Sequence, residues 1–163
     1  MDAHEQQPPV SEPLRSTTPI PIAKLAPELE NLSDSSIHAV VTLLWPYSSS
    51  TRSLSLLLAE PDFRLRRTNG QVKVVFHGLV AEEVAKSHVG IGDTVYIRLA
   101  GSRFVDNGVS NQTPGRCIAW DINYDDGVSI EVLFRTQLVV ISYSPVLTSV
   151  RSGVLLNISP LCK

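Results

Sequence analysis

Between Val40 and Gly78 two runs of the chain, Arg52–Glu60 and Val72–His77, alternate with a period of two. Leu54, Leu56 and Leu58 fall on one side of such a run, and Ser53, Ser55 and Leu57 on the other. Successive side chains of a strand point to opposite faces, whereas a helix repeats every 3.6 residues, so this stretch is constrained to half-exposed antiparallel sheet. Three β-rich runs stand out: Ile37–Tyr47, Arg52–Glu60 and Val72–His77. A Ser-rich turn over Ser48–Thr51 joins the first two. Pro61–Gln71 joins the second to the third and carries an Asn69-Gly70 tight-turn signal. Pro46 ends or bulges the first run, because it has no N–H to donate to a ladder. In the third run Val72, Val74 and Phe76 alternate with Lys73, Val75 and His77. That alternation leaves open which set faces inward.

Leu79–His88 follows as a helix with Leu79, Val80 and Val84 on its apolar stripe and Glu82, Glu83 and Lys86 outward. Gly90 or Gly92 can end it. Thr94–Ala100 is a fourth strand, and Asp106–Gly115 is a Gly/Asn/Ser loop. Cys117–Tyr124 and Val128–Arg135 form a closing hairpin around Asp125-Asp126-Gly127. Three strands, a helix and further strands predict an all-β fold with one capping helix, a five-stranded Greek-key barrel of the OB type. The helix would plug one end, and Ile20, Ile22 and Leu25 of a Pro-rich entry could pack across an end as well. Residues 1–17 read as a disordered leader and 18–136 as the domain. Residues 137–163 have no Asp or Glu and are broken by Pro145, Gly153 and Pro160. They read either as a loosely attached tail or as a segment foreign to the domain.

The net charge is −2, which argues against a general polyanion binder, but the charge is unevenly spread. Residues 1–44 carry two basic and six acidic groups. Residues 45–104 carry eight basic and five acidic, and 105–163 carry four and five. The positive part therefore coincides with the sheet hairpins, a modest footprint for phosphate. Cys117 and Cys162 form neither a disulfide framework nor a zinc motif, which suits a reducing compartment. There is no secretory signal pattern and no apolar run of membrane-spanning length, so a soluble intracellular protein is expected.

OB barrels often bind single-stranded nucleic acid on an open face, where flat rings meet bases and cations meet phosphates. The candidate residues are Trp45, Tyr47, Arg52, Phe63, Arg64, Arg66, Arg67, Lys73, Phe76 and Arg103, with Phe104 nearby. Phe76 and Trp45 could equally be ordinary core residues, and the arginines a solvated loop. No catalytic constellation accompanies them. His4, His38, His77 and His88 have no zinc-protease spacing, and no Ser or Cys sits in a nucleophile elbow. Asp125-Asp126-Gly127 lacks the alternating carboxylates of a calcium loop. No enzyme activity, metal or cofactor is expected. A protein-docking surface using Leu57, Val72 or Val74 is an alternative use of the same fold.

The run from Thr18 to Arg135 resembles the telomeric single-strand DNA-binding OB domain of the protection-of-telomeres and telomere end-binding protein alpha family, its fungal branch above all. The resemblance lies in Thr18-Pro19 and Leu25, Val40-Val41-Thr42-Leu43-Leu44-Trp45-Pro46-Tyr47 and Ser53–Asp62. It continues in Val74-Val75-Phe76-His77-Gly78 and Gly92-Asp93-Thr94-Val95. It implies a nuclear protein at chromosome ends that binds the G-rich overhang, with other telomere-capping proteins as further partners. It also implies base stacking on Tyr47 and Phe76, which would turn Phe76 toward the ligand, with Arg52, Arg64 and Arg66 meeting phosphates or base edges. Two departures stand out. Ser50-Thr51-Arg52 occupies a turn that carries an acidic residue in the family. Family proteins are usually longer, with a second OB domain extending the binding site, and a single barrel would bind more weakly and cover fewer nucleotides.

Overall fold

The computed structural model describes residues 17–108, 116–134 and 137–143, with Phe134 and the last strand described as backbone only. The predicted leader up to residue 16, most of the 106–115 loop and residues 144–163 lie outside the described residues. The fold is mostly β with one short helix. In chain order the strands are β1 (Thr18–Pro19), β2 (Ser35–Ser48), β3 (Ser53–Ala59) and β4 (Gln71–His77), then helix α1 (Gly78–Lys86). They continue with β5 (Thr94–Arg98), β6 (Arg103–Asp106), β7 (Cys117–Tyr124), β8 (Val128–Phe134) and β9 (Gln137–Tyr143).

These strands form one open mixed sheet in the order β6-β7-β4-β3-β2-β5-β8-β9, with β1 added in parallel to β2. Eight strands thus lie along the path in place of the five expected. The predicted hairpin between Cys117–Tyr124 and Val128–Arg135 is corrected by the pairing. β7 lies between β4 and β6, while β8 lies between β5 and β9. Asp125-Asp126-Gly127 is therefore a corner between two strands that do not pair with each other. A further difference is β9, which pairs with β8 from Val128↔Tyr143 to Phe134↔Gln137. The sheet continues past residue 136, where the sequence pattern had ended the domain.

Side-chain alternation explains the layering. Leu54, Leu56 and Leu58 of β3 and Val72, Val74 and Phe76 of β4 face the core, together with Ile37, Ala39 and Val41 of β2 and Val95 and Ile97 of β5. The β2–β3 register shifts between Val41 and Leu43. That irregularity exchanges the faces of β2: Leu44 then packs on the core while Leu43 and Trp45 are exposed. A bulge that inserts one residue has this effect, because the side-chain period is two. In α1 the buried residues are Val80, Ala81 and Val84, and Leu79 is exposed rather than part of the stripe. Ile22 and Leu25 of the entry segment are buried, as the sequence allowed. The Ile22 N–H is anchored on the Glu60 carboxylate at 2.5 Å.

Candidate nucleic-acid interface

The outer face of β2, β3, β4, β7 and β6 is set by cross-strand register. One row runs Trp45, Ser55, Val75, Asn123, Arg103. The next runs Leu43, Leu57, Lys73, Asp121, Val105. Trp45 is 42% exposed, and the Lys73 ammonium lies 5.1 Å from the centroid of its ring. That is cation–π distance, where the ring quadrupole attracts the charge. The face therefore presents a flat aromatic ring beside a cation, flanked by the apolar Leu43, Leu57 and Val75.

Arg103 stands at the other end of the row, its Nε and Nη2 donating to Asp125 Oδ2 at 3.0 and 2.9 Å. His77 Nε2 lies 2.8 Å from Asn123 Oδ1 and 4.0 Å from Asp125 Oδ1. Of this polar group only Arg103 was among the candidates read from the sequence; His77, Asn123 and Asp125 were not. Asn123 and Asp125 come beside His77 through the parallel β4–β7 pairing, which nothing local in the chain announces.

The remaining candidates divide. Phe76 is a correction. It is 0% exposed, its ring stacks on Tyr124, and its strand position shares the inward set with Val72 and Val74. It cannot meet a ligand. Val72 and Val74 are likewise fully buried, which removes them from any docking surface and leaves Leu57, now joined by Leu43 and Val75. Tyr47 packs its ring against the core, and its hydroxyl donates to Glu82 Oε1 at 3.1 Å. Arg52 reaches the same carboxylate oxygen at 3.4 Å. Its pKa is raised by hydrogen bonding to Tyr47 and then to Glu82. These two are gathered on α1, apart from Trp45. Phe104 is partly buried against the core.

Phe63, Arg64, Arg66 and Arg67 all lie in the loop between β3 and β4, beyond the Ala59↔Gln71 end of the face. Phe63 is 64% exposed. Arg64 lies 3.8 Å from Asp62. Arg66 is turned back on its own loop, donating to the carbonyls of Glu60 and Pro61 at 2.5 and 3.3 Å, which uses two of its five N–H donors internally. Arg67 is exposed. Among the described residues no group of three or more His, Cys, Asp or Glu side chains is placed to hold a metal ion.

The chain belongs to a family described as a domain of unknown function, DUF8502, whose model matches residues 15–139. The match takes in every strand from β1 to β8 and enters β9. No curated protein and no solved structure matches the chain.

Proposed function

We propose that this DUF8502 domain is an OB-type barrel that binds single-stranded DNA, without catalysis, on the outer face that carries Trp45. The observation that carries the reading is the exposed Trp45 ring with the Lys73 ammonium over it, at one end of a cross-strand row. Single strands need this combination, because every base has a π face to stack and every nucleotide a phosphate to neutralise.

The registers support the barrel. Ile97↔Ile130 of the β5–β8 pair leads, six residues on in one strand and seven back in the other, to Arg103↔Asn123 of the β6–β7 pair. That is the progression of one bent antiparallel hairpin with a single irregularity. Taking β5–β6 as one strand and β7–β8 as another, pairing runs from β2 through β3, β4, β7–β8 and β5–β6 back to β2. The circuit has five strands, the number of an OB barrel.

In this reading a base stacks on Trp45, and Lys73 exchanges the indole for a phosphate. Arg103 contacts the strand at one end of the face. The resemblance of Thr18–Arg135 to telomere end-binding domains supports G-rich telomeric DNA as the strand, and a nuclear role in chromosome-end capping alongside other capping proteins. A second reading is a protein-docking module, favoured by Leu43, which is 41% exposed beside Leu57 and Val75 and has no use in phosphate binding.

Fluorescence anisotropy of the full chain with labelled G-rich telomeric strand, scrambled strand and duplex tests the proposal. Salt-sensitive binding that prefers the telomeric strand is the expected outcome. Equal binding to both single strands removes the telomeric part. No binding at low salt by folded protein leaves the docking reading.

A further inference from the structure

The loop between β3 and β4 is held in one shape by its own hydrogen bonds. Glu60 N–H donates to the Gly70 carbonyl at 2.9 Å, closing its base. Leu65 and Arg66 N–H donate to the Asp62 and Phe63 carbonyls at 3.0 and 3.3 Å, and Arg64 N–H donates to Asp62 Oδ1 at 3.0 Å. The Arg66 guanidinium ties the loop back to Glu60 and Pro61. Asn69 takes the left-handed conformation at φ 50°, and Gly70 lies so close to the Leu65 carbonyl that a Cβ there would collide with it. This fixed frame holds Phe63 and Leu65 out into solvent, 64% and 53% exposed, with exposed Arg64 and Arg67 beside them.

We propose that this loop is a second binding site, apart from the Trp45 face, for an acidic amphipathic peptide of a partner protein. Two apolar side chains set among arginines match a ligand with apolar residues on one side and carboxylates on the other. Arg64 and Arg67 can pair with those carboxylates, as guanidinium groups do in a fork geometry. Because the loop is already ordered, binding spends little on fixing it. Nucleic acid accounts for Phe63 and the arginines but not for Leu65, which has no ring to stack. A lipid surface is the poorer match, since each cation near an anionic membrane contributes only about 1 kcal/mol and the loop exposes two beyond its internal clasp.

The test uses the full chain and a labelled synthetic helix of roughly 16 residues, long enough to be partly helical in water. It carries Leu and Phe on one side and Glu and Asp on the other. Saturable binding is expected, weakened by about tenfold or more in Leu65→Ser, in line with loss of a buried leucine side chain. It should be unchanged in Trp45→Ala and reduced in Arg67→Ser. Circular dichroism checks that each variant is folded, and Leu65 is exposed enough for serine to be tolerated. Absence of saturable binding overturns the proposal, as does equal binding by Leu65→Ser. Leu65-dependent binding to phosphatidylserine vesicles without peptide binding also overturns it, in favour of a membrane. DNA binding by Trp45 can fail or succeed without changing any of these outcomes.

Discussion

The rings of Phe76 and Tyr124 lie 5.6 Å apart between centroids and 19° from coplanar, both fully buried, on paired positions of the parallel strands β4 and β7. The contact ties β4 to β7 across a parallel pairing whose partners stand far apart in the chain. Phe76→Ala should therefore lower stability by about 3–5 kcal/mol, the usual cost of emptying a buried phenylalanine site. Chemical denaturation monitored by circular dichroism measures it. An unaltered midpoint with weakened DNA binding would return Phe76 to the ligand face.

Burial drives the Tyr124 phenol well above the ordinary tyrosine range, while its hydroxyl donates to the Arg98 carbonyl at 2.8 Å. A raised pKa of an acid in the folded state means the neutral form is favoured there. Tyr124's contribution is thus fully present below the unfolded pKa of about 10 and is lost as pH rises above it. Stability should fall above about pH 10, and ultraviolet titration should show one phenol that ionises only as the protein unfolds.

On the proposed face, Trp45→Ala should weaken single-strand binding by roughly 1–3 kcal/mol while leaving the fold intact, because the ring is 42% exposed and lies outside the buried core. Lys73→Met should reduce the salt dependence by the share of one phosphate, a slope change of about 0.7 on the logarithmic scale. Anisotropy titrations at several salt concentrations measure both. Unchanged affinity in Trp45→Ala would remove the face from consideration.

Gly70→Ala should destabilise the protein, since the added methyl meets the Leu65 carbonyl and forces the β3–β4 loop open. Thermal unfolding measures the loss. A melting temperature equal to that of the unaltered protein would mean that the loop relaxes freely and is not the fixed frame described above.

A chain ending at Thr136 removes β9 and leaves β8 paired on one side only. Such an edge exposes unpaired backbone groups and invites association. Lower thermal stability and greater aggregation than in the full chain are expected, measured by calorimetry and light scattering.

The sequence by itself determined the existence and order of the main elements. Leu54-Ser55-Leu56-Leu57-Leu58 is strand because of its period, and Asn69-Gly70 turns because the chain there needs a left-handed residue, which Asn69 supplies. Val72–His77 carries apolar residues on both sides of its alternation, so a period of two cannot say whether Phe76 or Val75 faces the core. Only pairing to β3 and β7 decided it, placing Phe76 against Tyr124. The irregularity at Val41–Leu43 turned Trp45 outward by shifting register, a shift that leaves no mark in residue type. Asp125-Asp126-Gly127 reads equally well as a hairpin or a corner, because the residues that favour a turn act locally. Which strands it separates was settled by partners far away in the chain.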